Sequence, residues 1–112
     1  MKLRMRSSIL CAAVLAAAAL TFPHCDSLDG PVVTDARKAL EAGDPAIVLK
    51  WVMPAGEAEV KAAFAETLKV RKLGDDARVL ADRAFFETLV RVHRAGEWFA
   101  YTGLKPAGRD LG

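Results

Sequence analysis

The stretch DDARVLADRAFFETLVRVHR, residues 75–94, decides the fold. Its apolar residues return at the three- and four-residue spacings of an amphipathic helix with a broad buried face: Val79, Leu80, Phe85, Phe86, Leu89, Val90 and Val92. Gly74 precedes the stretch, Asp75 or Asp76 is placed to cap it, and Gly96 is placed to end it. We therefore predict a helix here that forms the centre of the core.

Three further helices are predicted upstream, each bounded by Pro or Gly. Asp29 caps the first, over residues 31–42, which buries Val32 or Val33, Ala36, Ala39 and Leu40, and Gly43 closes it. The second runs over residues 45–53 and the third over residues 57–72. The connections are short, so we expect an all-α fold: a small antiparallel bundle of about four helices, with an irregular C-terminal tail over residues 98–112.

The N-terminus has the pattern of an export signal. Lys2, Arg4 and Arg6 precede an almost wholly apolar run over residues 9–20, which is typical of a cleavable signal peptide. The run is shorter than the ~20 residues of a membrane-spanning helix, so we expect no stable membrane anchor after processing. We predict a signal peptide over residues 1–23, cleaved between residues 19 and 23, and a single helical domain over residues 24–112. The domain is expected in the periplasm or outside the cell.

Removal of the signal changes the charge and the cysteine count. The chain has 16 Lys and Arg against 14 Asp and Glu, and three of the bases but none of the acids lie in the signal. The remaining domain is therefore close to neutral, which gives no case for nucleic-acid binding. It is also small enough that a metal or a homo-oligomer would help it fold. Cys11 leaves with the signal, so Cys25 is left as a metal ligand, a reactive thiol, a partner in an intermolecular disulfide or a buried residue.

Cleavage before His24 would create a dense set of ligands. The terminal amine, the His24 imidazole, and the Cys25 amide and thiolate would surround one metal, and such a set suits Ni(II) or Cu(II). Asp26 and His93 are further candidate ligands, although His93 also fits a histidine at the edge of the core. Cleavage after Ala19 would remove the amine from this set.

Acid-base and nucleophilic chemistry find little support. The sequence offers no set of a nucleophile, a base and an orienting group. Whether the protein is an enzyme is therefore left open. Glu87 is expected to pair with Arg83 or Arg91, four residues away on the same helix, rather than to chelate a metal with His93.

The stretch HCDSLDG, residues 24–30, resembles the N-terminal hook of nickel superoxide dismutase, a family of small helical bundles. The resemblance implies that His24 contributes the terminal amine and imidazole to nickel, and that Cys25 contributes its amide and thiolate. Asp29 stands where the family has a second thiolate ligand.

A second resemblance extends over most of the predicted domain. The segments HCDSLDGPV (24–32), VLKWV (48–52), FFETLVRVHRAGE (85–97) and YTGLKPAG (101–108) are similar to a family of small exported bacterial proteins. That family brings no established activity with it.

Three functions follow as hypotheses. The first is an exported protein that binds a transition metal through His24 and Cys25, with superoxide dismutase-like redox activity as its most specific form. The second is a non-enzymatic interaction module that buries Trp51, Trp98 or the tail against a partner. The third is a redox protein with Cys25 as its single thiol.

Overall fold

The computed structural model describes residues 26–97 and 101–108, and within these ranges the chain forms four α-helices. The helices are α1 (Pro31–Ala42), α2 (Ala46–Leu49), α3 (Glu57–Val70) and α4 (Asp75–Gly96). Two 3-10 turns, Pro54–Gly56 and Arg71–Leu73, lead into α3 and out of it. The predicted all-α bundle is confirmed. The predicted signal peptide lies outside the described residues.

Helices α1 and α3 both run antiparallel to α4. Along α3, Glu59 pairs with Arg91 and Phe64 packs edge-on against Phe85 at 5.4 Å between ring centroids. Later residues of α3 therefore meet earlier residues of α4. The guanidinium of Arg37 in α1 lies 4.8 Å from the ring centroid of Phe86. Since the segment just before α1 contacts the last turn of α4, α1 also runs antiparallel to it.

The core lies between these three helices and α2. Its buried apolar residues are Val32, Val33, Ala36, Ala39, Leu40, Val48, Val60, Phe64, Phe85, Phe86, Leu89, Val90 and Val92. Most of the predicted core is therefore confirmed, with α4 at its centre. Each fully buried Val, Leu or Phe side chain contributes about 1.5–3 kcal/mol of transfer free energy.

Val79 and Leu80 depart from the prediction, because their side chains are 65% and 72% exposed. Helix α4 has 22 residues and outreaches α1, which has 12. Arg71 marks where α1 ends, since it donates both to the carbonyl oxygen of Leu40 and to Asp82 of α4. The apolar pattern of α4 thus continues beyond its covering helix.

The predicted caps are partly wrong. Gly43 closes α1 in the left-handed conformation, with φ of 68°, as predicted. The residue that precedes α1 is however Gly30 rather than Asp29, and no side chain caps this helix. Gly74 likewise precedes α4, so Asp75 lies inside the first turn, where its charge favours the helix dipole.

Helix α2 is shorter than predicted, and the chain beyond it turns tightly. The amides of Trp51 and Val52 donate to carbonyls three residues back, so the chain leaves the α-helical geometry there. The side chain of Asp35 holds this segment against α1. It accepts from the indole of Trp51 at 2.9 Å and pairs with Lys50 at 2.9 Å, and these bonds lower the pKa of Asp35, the bond from Lys50 most.

The described part of the tail, residues 101–108, is extended coil. It joins the segment before α1 through an isolated parallel bridge between Ser27 and Lys105. Tyr101 and Leu104 pack against the core, as the predicted irregular tail requires, and burial raises the pKa of the Tyr101 hydroxyl. Across the described ranges, no helix has the length and apolar character needed to cross a membrane.

Candidate metal-binding site

His93 lies in the last turn of α4 with its ring buried. Its Nδ1 is 2.6 Å from the carbonyl oxygen of Trp51, and a carbonyl can only accept, so Nδ1 carries the proton. The same ring packs edge-on against the Trp51 indole, with 5.6 Å between centroids. Helix α4 and the turn after α2 therefore fix both the tautomer and the orientation of the imidazole.

The other ring nitrogen of His93, Nε2, is buried and makes no hydrogen bond within the described part of the chain. The carboxylate oxygen Oε1 of Glu97 lies 2.6 Å from it, at the four-residue spacing that puts both side chains on one face of a helix. This contact is short, but it lacks hydrogen-bond alignment. An unprotonated Nε2 and a carboxylate oxygen are both hydrogen-bond acceptors, so they repel each other at this distance. A proton or another cation between them would remove that repulsion.

Such an arrangement is also how proteins prepare a histidine to bind a metal. A metal-binding imidazole usually donates its second ring N–H to a carbonyl or carboxylate, which orients the free nitrogen. His93 has this donation to Trp51, and its free nitrogen has a carboxylate beside it.

Asp26, the third residue of the predicted N-terminal ligand set, forms a buried ion pair. Its Oδ1 accepts from Nε of Arg94 at 2.7 Å, and each side chain is only 5% exposed. Its carbonyl oxygen also accepts from the amide of Lys105 at 2.8 Å. The structure thus assigns Asp26 a part in anchoring the start of the domain to α4, and its role as a metal ligand stays a prediction.

Asp29, which stands at the position of the second thiolate in the nickel hook, is also engaged. Its Oδ1 accepts from the Ser27 hydroxyl at 2.6 Å, and its Oδ2 accepts from the amide of Gly108 at 2.8 Å. The carboxylate therefore ties the segment before α1 to the tail instead of capping α1.

The predicted ligands are brought together only in part. His24 and Cys25 lie outside the described residues. Asp26 and His93 both lie at the C-terminal end of α4, since the partner of Asp26 is Arg94, the residue after His93. Among the described residues there is no group of three or more His, Cys, Asp or Glu side chains that could hold a metal.

Glu97 was not predicted as the partner of His93, although its four-residue spacing is visible in the sequence. The predicted partner of Arg91 was wrong. Both oxygens of Glu59 in α3 accept from Nη2 of Arg91, at 2.7 and 2.9 Å. In the described ranges Glu87 has no ion pair with Arg91 or Arg83, and Arg91 reaches across to α3 instead.

Comparison with known proteins gives a family and no activity. Neither the curated proteins nor the solved structures include one with significant similarity to the chain. The sequence profile of a family described as "Family of unknown function (DUF6448)" matches residues 29–111. Since this match covers well over half of the chain and nearly all of its helical part, the protein belongs to that family.

Proposed function

We propose that this protein is an exported transition-metal-binding protein whose site combines the His24 and Cys25 terminus with the free nitrogen of His93. The observation that carries the proposal is the state of the His93 ring. Its Nε2 is buried without a hydrogen bond, its Nδ1 is fixed by Trp51, and Glu97 supplies a carboxylate 2.6 Å away.

The anchoring of the chain supports the participation of the N-terminus. Asp26 is held against Arg94 by a buried ion pair, and Cys25 is bonded directly to Asp26. Cleavage before His24 would therefore leave the new N-terminus two residues before the point at which the chain is held to α4. A site formed by His93 and Glu97 alone is incomplete, and an amine, an amide and a thiolate from residues 24–25 would complete it.

The ligand types favour Ni(II) or Cu(II). A thiolate with deprotonated amide and amine nitrogens gives a strong, nearly planar field, and an imidazole fits as a further ligand. Redox activity like that of superoxide dismutase is the most specific form of the proposal, with Asp29 in place of the second thiolate. Because Cys25 is the one cysteine outside the predicted signal, the site has at most one thiolate. The Asp29 carboxylate already accepts from Ser27 and Gly108.

The test is a titration of the purified exported protein with Ni(II) and Cu(II), followed by absorbance. We expect one metal per chain and a thiolate-to-metal charge-transfer band that Cys25→Ala abolishes. His93→Asn keeps a donor for the Trp51 carbonyl but lacks Nε2, so it should weaken binding at least tenfold, or about 1.4 kcal/mol.

A matched control is Glu66→Gln, which removes a carboxylate from the exposed side of α3 and should leave the affinity unchanged. Metal stoichiometry and spectra that are unchanged in Cys25→Ala would contradict the thiolate site. Unchanged affinity in His93→Asn would show that His93 is not a ligand.

The interaction-module hypothesis now rests on other residues than those predicted, because Trp51 packs against the core and Trp98 lies outside the described residues. Leu73, Val79 and Leu80 are large apolar side chains that are more than half exposed, and such residues are common in protein contacts. Sedimentation would test it, because a self-associating module should form oligomers whose mass does not change when metal is removed.

A further inference from the structure

A cleft of about 430 Å³ opens beside the first half of α4, away from His93. Its walls come from α1, from the 3-10 turn after α3 and from α4. Four arginines line it together with apolar side chains: Arg37, Arg71, Arg78, Arg83, Val79 and Phe86. Only two acidic residues, Glu41 and Asp82, share this lining, so the cleft carries a surplus of two positive charges.

Arg71 is the structural member of this group. Its Nε and Nη2 donate to the two oxygens of Asp82, at 3.0 and 3.3 Å. Its remaining donors reach the Leu40 carbonyl at 3.1 Å and Glu41 at 3.3 Å. Both acidic residues of the cleft therefore pair with Arg71. The other three guanidinium groups have no acidic partner among the lining residues.

Those three guanidiniums are exposed and their donors are available. Arg37 stacks over the Phe86 ring but pairs with no acid in the described ranges. Arg83 has neither an ion pair nor a hydrogen bond to any residue that the structure describes. Arg78 has one weak contact, 3.8 Å from the nearly fully exposed Asp75. Exposed like charges on adjacent elements repel one another, and an anion between them would relieve that repulsion.

The side chains that line the cleft indicate which class of ligand it would bind. Guanidinium groups bind the oxygens of phosphate with two hydrogen bonds each. A phosphate monoester carries about −1.5 to −2 charges at pH 7, which matches the surplus of the cleft. Val79 is 65% exposed and Leu28 also lines the cleft, so an apolar organic group would cover surface that is now wet.

We propose that this cleft binds a phosphate monoester whose organic group is apolar, held by Arg37, Arg78 and Arg83. The ester can be a soluble metabolite or the headgroup of a lipid, since the two share this chemistry. The proposal is independent of the metal site, because Arg37, Arg78 and Arg83 make no hydrogen bond or ion pair with His93 or Asp26.

The test uses the purified exported protein and phenyl phosphate, followed by amide chemical shifts in ¹⁵N NMR. We expect saturable shifts centred on Arg83 and Phe86. Arg37→Gln and Arg83→Gln should each weaken binding at least about tenfold, since each removes charge-assisted hydrogen bonds. Arg91→Gln removes the same charge from α4 outside the cleft and should change the affinity less than about twofold.

Three results would overturn the proposal: no saturable shift up to about 10 mM phenyl phosphate, equal weakening by Arg91→Gln, or inorganic phosphate binding as tightly as the ester. A competition experiment distinguishes a soluble ester from a lipid headgroup. Vesicles containing dioleoyl phosphatidic acid displace phenyl phosphate if the cleft accepts a lipid headgroup, whereas failure to displace assigns the cleft to soluble esters. The circular dichroism of each variant establishes that it is folded.

Discussion

The buried ion pair between Asp26 and Arg94 offers the sharpest test of how the domain is held together. Asp26→Leu leaves the Arg94 guanidinium in a site where its side chain is only 5% exposed. Removing one partner of a buried pair costs about 3–5 kcal/mol, because the remaining charge stays desolvated. A domain of this size unfolds with a free energy of about 5–15 kcal/mol, so the loss is a large fraction of its stability.

The assay is denaturant unfolding followed by circular dichroism, with thermal unfolding alongside. Each kcal/mol shifts Tm by roughly 4–8 °C in a domain of 60–100 residues, so Asp26→Leu should lower Tm by at least about 12 °C. The double variant Asp26→Leu with Arg94→Met removes both charges and should recover at least half of the loss. A single variant that costs less than about 1 kcal/mol, or a double variant less stable than the single one, would refute the reasoning.

Two further predictions concern acid stability and close packing. Asp35 has a lowered pKa in the folded state, so it stabilises the fold at neutral pH and loses this contribution as the pH falls below about 4. Asp35→Asn should therefore lower the free energy of unfolding more at pH 7 than at pH 2.5, and an equal loss at both values would contradict the assignment. Gly56→Ala should cost about 1–3 kcal/mol in denaturant unfolding, because its new Cβ would lie 2.5 Å from Cγ1 of the branched Val92. Gly96→Ala is the control. Its Cβ would meet the flexible, exposed side chain of Met53 at 3.0 Å, so it should cost less than about 1 kcal/mol. Equal losses in the two variants would show that the close approach of Gly56 to Val92 does not limit the substitution.

The sequence was sufficient for the number and order of the helices in the described ranges, although not for the length of α2, because periodicity and chain punctuation are local. The stripe through Phe85 and Leu89 and the closing Gly43 could be read without knowing any partner. The exposure of Val79 could not be read in this way. It depends on where α1 stops along α4, and that is set by packing between segments far apart in the sequence.

The contacts of the candidate site likewise divide into local ones and ones between distant parts of the sequence. His93 and Glu97 are four residues apart, so their pairing was within reach of sequence reasoning. The donation from His93 to the Trp51 carbonyl joins residues 42 positions apart, and the pair of Asp26 with Arg94 joins residues 68 apart. These two long-range contacts come from tertiary structure, which a single sequence does not encode in any local pattern.

Native mass spectrometry of the exported protein, mixed with one equivalent of Ni(II), tests the central proposal most directly, because one spectrum reports both the mature N-terminus and the bound metal. We expect the mass of residues 24–112 with one nickel ion. A chain that begins upstream of His24, or a correctly processed chain that stays metal-free, would contradict it.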